Sequence, residues 1–514
     1  MVTPRLRQPY MPAGPLVLLA LACAVIAAHW WLIARYGSPV PFWDQWDGEA
    51  ANLYAPYLHG GLTWQALIEP HNEHRILTTR LFALGLYILN TQWNPLLQMA
   101  TNAALLAAAL CSLASMVTRE LMPGSRLALC AFIAVLTAIP YAWENTLSGF
   151  QTQFYWNLLF SFWALWLLVM NRPFSAWWWT GALVAGLAYF SLASGLFVFA
   201  ASASVLLLRG LQMQRHAGAG AGARGWLAPR SAHWPYLTAA ALLFGMFALG
   251  YVATPVTAGH AGMKAHSAGE FMNALKAALS WPQRERIVPA LLLNLPCVAF
   301  MWMLWRRRSQ PFRPAVWVLL GLIVWVGAQA VALSYGRAAS VRSSRYLDLL
   351  AVGTILNFGC LLWCLQQSAR LKARFGVLIV VVWLAYLAGG LWHQRHAIEG
   401  QVEHKLQMSQ TEQANVHAYL ASSDPAHLYD KPLLHIPYPD ADRLRQLLDD
   451  PAVRRILPAA VVPPSLPEHH AGVFDAGLKR LEAYAYVVLV LGGLFMLCAL
   501  AHWIKAKNRW RSAG

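Results

Sequence analysis

The stretch 76–92, ILTTRLFALGLYILNTQ, decides the fold, because reading it as a membrane span or as a surface helix sets the orientation of every segment after it. Around it the chain is a succession of apolar runs. Of its 514 residues, 58% are hydrophobic and only 12% charged, too apolar for a soluble globular protein. Runs near the roughly 20 residues that a bilayer demands recur at about 15–34, 95–117, 127–141, 152–170, 177–193, 195–208, 235–254, 288–305, 315–334, 347–366, 376–392 and 483–503. The expected fold is an all-α polytopic membrane protein of about 12 transmembrane helices.

Charge distribution decides how 76–92 is read. The chain carries 39 Lys and Arg against 22 Asp and Glu, a net charge of +17. With the N-terminus in the cytoplasm, the inner segments 1–14, 118–126, 171–176, 209–234, 306–314, 367–375 and 504–514 hold 20 of the basic residues and one acid, Glu120. This is the positive-inside pattern, which holds loops against anionic inner-leaflet lipid. A thirteenth crossing at 76–92 would invert it, putting Arg306, Arg307, Arg308 and the tail Lys505, Lys507, Arg509 and Arg511 outside. Residues 48–92 are therefore expected to lie along the outer interface within a first outer loop, 35–94, which suits Trp64, Tyr87 and Trp93. The same distribution argues against nucleic acid as a partner, since no basic stretch is interleaved with stacking aromatics.

Arg5 and Arg7 precede the first span, as in a secretory signal, but the apolar stretch is too long and ends in His29-Trp30-Trp31 where a small-residue cleavage site would be needed. An uncleaved anchor is expected. All seven cysteines fall inside spans, so no disulfide framework is implied. The abundant Met and Trp of the spans suit packing and lipid contact. GAGAGARG in the inner loop 209–234 is linker composition and lacks the Lys-Ser/Thr of a phosphate loop. The expected organisation is a transmembrane domain at 1–392, a hydrophilic outer domain at 393–482, punctuated by HIPYPDAD and LPAAVVPPSLPEHH, and a last span with a basic cytoplasmic tail at 483–514.

The residues suited to chemistry lie outside. The first outer loop contains PFWDQWDGE at 41–49 and EPHNEHR at 69–75. Asp44 and Asp47, three apart, would share one face of a helical turn, and His71 and His74 have the same spacing, with Glu73 and Arg75 beside them. Partial desolvation beside Trp43 and Trp46 suits a carboxylate to act as a general base. Glu144, in YAWEN at the outer end of the third span, is the only acid between Glu120 and Glu270; an acid at a membrane mouth is costly unless paired or functional. GRAASVRSSRYLD at 336–348 places Arg337, Arg342 and Arg345 on the side that should be poor in arginine, where guanidinium groups suit a phosphate or pyrophosphate. A base, a second acid and a phosphate clamp together suit group transfer from a lipid phosphate.

This layout resembles the GT-C superfamily of polyprenyl-phosphate-sugar glycosyltransferases, the protein mannosyltransferase and aminoarabinose transferase types above all. The resemblance covers roughly 15–365 and rests on the aromatic-Asp motif of the first loop, the interfacial helices, the acid after the third span and the late Ser-Arg-Tyr element. It implies Asp44 as catalytic base or acceptor-orienting group, with Asp47 its rival, Glu144 as the second acid, and Arg345 and Tyr346 at the lipid phosphate. It further implies an inverting displacement, with a glycan, lipid or protein acceptor, in a bacterial cytoplasmic membrane with both termini inside. The family's Asp-Glu pair is Asp44-Gln45 here, and the HNEHR box has no counterpart in the better-known members. His71, His74, Asp44, Asp47 and Glu73 offer donors for a divalent metal ion. Arg75 would repel a cation there, and hydrogen bonding to sugar or acceptor is the better use of these residues. A transporter or flippase, and an O-antigen-type polymerase or ligase, are the rival readings.

Overall fold

The structure is a computed structural model that describes residues 14–219, 232–368, 373–463 and 471–512. Arg5, Arg7, most of the GAGAGARG stretch and His469-His470 lie outside the described residues. Within them the secondary structure is helical, and 11 helices are long and apolar enough to cross a membrane. The most deeply buried is Ser344–Gln367, with 94% of its apolar window inside the protein. It packs against Ile287–Arg306 and Pro314–Gly336 and carries the late Arg-rich element at its start.

The segment expected to span at 177–193 forms the 14-residue helix Ala176–Tyr189. At about 1.5 Å per residue it rises about 21 Å, less than the roughly 30 Å hydrocarbon core. A tight turn ends it. The amides of Ser191 and Leu192 both donate to the Ala188 carbonyl at 3.1 Å, and Gly195 lies so close that a methyl there would overlap the same carbonyl.

The decisive stretch becomes Leu77–Asn90, also 14 residues. Arg80, 1% exposed, explains its place. Its guanidinium donates to the carbonyls of Ala66, Leu67 and Glu69 at 2.9, 3.2 and 2.6 Å, satisfying the C-terminal end of the short helix Trp64–Ile68. The helix stops at Thr91, in the left-handed region at φ 60°, and Asn94 then caps Pro95–Thr118, accepting from the Leu96 and Leu97 amides.

The hydrophilic segment opens as a continuation of the preceding span. Ala373–Ser422 is one helix of 50 residues, so the boundary expected at 393 falls inside a continuous rod about 75 Å long. Past its end the chain folds back as Ala441–Asp449 and Pro451–Ile456, each capped by an aspartate, Asp440 and Asp450. A second hydrophobic core unites Trp46, Leu53 and Tyr54 of the first outer loop with Leu420, Leu444 and Leu448 of this segment. At about 1.5–3 kcal/mol for each fully buried large apolar side chain, this core fixes the outer segment against the first loop.

Candidate active site

Where the first outer loop, residues 143–151, the start of Ser344–Gln367 and the projecting long helix meet, they enclose a cavity of about 270 Å³. Asp44, Glu144 and Arg345 line it, together with Lys405 and Glu412 of the long helix and the apolar surfaces of Phe42, Trp43, Trp143, Phe150 and Met408.

Asp44 is positioned from both sides. Trp43, just before it, holds a left-handed backbone at φ 52°, costly for a bulky side chain, and its amide donates to the Pro437 carbonyl at 2.7 Å. After it, Gln45 is clamped. Its side-chain oxygen accepts from the Phe42 amide at 3.1 Å, while its amide nitrogen donates to Gln98 at 2.7 Å and Glu49 at 3.1 Å. Glu49, 1% exposed, also accepts from the Trp93 indole at 2.7 Å and from Gln98 at 3.0 Å. Burial pushes the Glu49 carboxyl up, against the opposing pull of these three hydrogen bonds. From Trp46 to Tyr54 the backbone is a π-helix, which contains Asp47, while Asp44 lies just before it. Asp44 faces the cavity; Asp47 faces the outer segment, 3.6 Å from Arg443 Nη2.

Behind Asp44 lies His71, 8% exposed, with Nε2 3.6 Å from Asp44 Oδ1 and its ring edge-on to Phe150 at 5.2 Å. Gly48 makes room for this stack, since a methyl there would come within 2.7 Å of the Phe150 ring. His71 and His74 exchange backbone hydrogen bonds of 2.8 and 3.0 Å across a tight turn. His74 Nδ1 is buried without a hydrogen-bond partner, and burial pulls its imidazole from 6.5 down to about 4, against the opposing pull of Glu73, so it is neutral at pH 7.

Glu144 and Arg345 form the opposite wall. Glu144 Oε1 accepts from Arg345 Nη2 at 3.1 Å, and Oε2 accepts from the Ser343 hydroxyl and the Arg345 amide, both at 3.0 Å. The reciprocal bond runs from the Glu144 amide to Ser344 Oγ at 2.9 Å. Asn145 completes the seam, donating to the Arg345 carbonyl and to Asp348, each at 2.9 Å. Arg345 therefore pairs with Glu144, and Asp348 with Asn145.

The long helix supplies a wall that inspection of the sequence did not single out. Lys405 Nζ sits 3.3 Å from the centroid of the Phe42 ring and 3.6 Å from Glu412 Oε2. Lys405 Nζ, Ser409 Oγ and both Glu412 oxygens are buried with no hydrogen-bond partner. A buried ion pair at that distance recovers little of its desolvation cost. The sequence signal available was the spacing of Lys405, Met408, Ser409 and Glu412 along one helical face, within a segment that otherwise reads as hydrophilic.

The remaining expected residues lie elsewhere. Glu73 accepts from Arg337 Nη2 at 3.1 Å and contacts His260 Nδ1 at 2.5 Å, and Arg337 Nε donates to the Tyr346 hydroxyl at 3.2 Å. Burial would raise the Glu73 carboxyl, but the His260 and Arg337 hydrogen bonds together outweigh it and hold it below the ordinary carboxylate range. This latch ties the first loop to the loops at 255–263 and 336–346. Arg75 donates to the Ile68 carbonyl at 3.0 Å. Arg342 donates to the Ala277 carbonyl at 2.9 Å and the Ser280 hydroxyl at 2.8 Å, with Glu285 3.6 Å away. Among the described residues no three His, Cys, Asp or Glu side chains converge as a metal site. No known family model matches the chain, and no curated protein is significantly similar to it in sequence.

Proposed function

We propose that the protein is a membrane glycosyltransferase, of the bacterial cytoplasmic membrane, that moves a sugar from a polyprenyl phosphate to an acceptor hydroxyl at the outer face. The observation that carries this reading is the convergence of Asp44, the Glu144–Arg345 pair and the Lys405–Glu412 pair on one cavity with apolar walls at the outer end of the bundle. Apolar walls suit a prenyl chain, and two cations suit the phosphate.

In this reading Asp44 takes the proton of the acceptor hydroxyl, the freed oxygen attacks the anomeric carbon, and the bond from that carbon to the phosphate oxygen breaks with inversion. The departing polyprenyl phosphate gains negative charge beside Arg345 and Lys405. Cations already in place stabilise such charge without reorganising. His71 orients Asp44. Glu144, with both oxygens occupied, positions Arg345. Arg337 and Tyr346 act at a distance, through the Glu73 latch that shapes the first loop. A neighbouring reading gives Asp47 the part of base, but its pairing with Arg443 turns it toward the outer segment.

The deciding experiment offers the purified chain a panel of radiolabelled polyprenyl-phosphate sugars and compares it with Asp44→Asn. Loss of a general base costs about 10²–10⁴-fold in turnover, with donor binding retained. Full transfer by a folded Asp44→Asn protein removes Asp44 from the reaction. No turnover with any donor, alongside solute movement in vesicles, replaces the transferase with a transporter.

A further inference from the structure

At the other end of the bundle, about 33 Å along Ser344–Gln367 from Arg345, a separate cavity of about 320 Å³ opens where five membrane helices end. Its lining carries both signs of charge: Glu120, the lone acid of the basic segments, faces it together with Arg307 and Arg313. The arginine triplet is sorted there. Arg306 lies over Trp302 at 4.6 Å and Arg308 over Trp305 at 4.5 Å, leaving Arg307 to enter the cavity and donate to Gln367 at 3.0 Å.

Two charged side chains of this lining have no hydrogen-bonding protein partner among the described residues. The Glu120 carboxylate makes no hydrogen bond or close ion pair among the described residues, and burial raises it, with Arg313 and Arg126 pulling the other way. The exposed Arg313 guanidinium has no hydrogen bond of its own among the described residues. Trp363, 4% exposed, contributes an apolar floor. Beside the cavity Trp302 and Trp305 are 55% and 64% exposed near the end of their helix, where tryptophan suits the headgroup level.

We infer that this cavity binds the headgroup of a zwitterionic phospholipid bearing a primary ammonium, phosphatidylethanolamine in chemical class. Arg307 and Arg313 meet the phosphate, and Glu120 meets the ammonium. Two guanidinium groups match an anionic tetrahedral group; a half-buried carboxylate beside them matches a cation that still has N–H bonds to donate. The site is independent of the reaction assigned to the outer cavity.

The test uses the delipidated full-length chain in detergent, titrated with phosphatidylethanolamine, phosphatidylcholine and phosphatidylglycerol, with bound lipid counted by native mass spectrometry. The ethanolamine lipid is expected to bind at least about fivefold more tightly than the choline lipid, whose quaternary ammonium has no N–H. Glu120→Gln is expected to lower ethanolamine-lipid affinity about tenfold while sparing phosphatidylglycerol. Arg313→Ala lowers both, and Arg308→Ala neither. Equal binding of all three lipids by the wild-type chain, a preference for phosphatidylglycerol, or undiminished ethanolamine-lipid binding by Glu120→Gln overturns the assignment. The wild-type comparison stands whether or not any variant folds.

Discussion

Glu144 has both carboxylate oxygens occupied, by Arg345, Ser343 and a backbone amide, and in the proposed reaction its side chain positions Arg345. Replacing it by glutamine keeps the shape but removes the charge that aims Arg345 into the cavity. The pair is partly exposed, so solvent screening limits the effect. Glu144→Gln is expected to raise the donor KM about three- to tenfold, with a smaller fall in kcat and an unchanged melting temperature. A loss as deep as that of Asp44→Asn would make Glu144 a reacting group. His74 sets a pH dependence. Its native value, about 4 against an ordinary 6.5, means that the unfolded chain binds the proton more readily. Its contribution to stability is whole above pH 6.5, declines as the pH falls, and is gone by about pH 4, a difference of roughly 3 kcal/mol. Melting curves of wild type should drop between pH 7 and pH 5, and His74→Gln should flatten that drop. Parallel curves would place the titration elsewhere. The acids and arginines at issue are legible in the sequence as rare charges at span ends, but the choice of partner among them is not. Arg345 chooses Glu144 over Asp348 because two loops from distant parts of the chain meet edge to edge.

The long helix Ala373–Ser422 joins membrane to cavity. Lys405 and Glu412 are seven residues apart on it, two turns along the same face, and both are buried against the first outer loop. Removing one partner leaves an unpaired buried charge, so Lys405→Met is expected to destabilise by about 3–5 kcal/mol. Lys405→Met with Glu412→Leu should recover most of that stability and still fail to bind polyprenyl phosphate. A stable double variant with undiminished binding would reduce the pair to a packing feature. Helix type and length were partly open to pattern reading. Period and polarity identify 77–90 as helical, but its attachment to the helix Trp64–Ile68 follows from Arg80 reaching back to three carbonyls. Likewise 177–193 has the composition of a span, and the early turn at Gly195 shortens it.

Across the whole molecule, the two cavities sit at opposite ends of the bundle, and the proposed orientation puts the one at Asp44 on the non-cytoplasmic side. In a Cys498→Ala background, Gly61→Cys, exposed in the first loop, should react with a membrane-impermeant maleimide on intact cells, whereas Arg308→Cys should react only after permeabilisation. Labelling of both from one side overturns the orientation. The outer segment and the first loop share one hydrophobic core, so the cavity exists only while both are folded.

Membrane character, approximate span positions and charge asymmetry were determined by the sequence alone, because hydropathy and charge are sums over neighbouring residues. The position of the rare outer acids and arginines followed from the same sums. Only the tertiary structure decided which of those charges meet: Asp44, Glu144 and Arg345 on one cavity, Glu73 with Arg337 in a latch, Arg342 beside Glu285, and Lys405 with Glu412 as an unforeseen wall. The physical reason is that pairing depends on which loop ends the packed helices bring together, and local composition carries no record of that return of the chain.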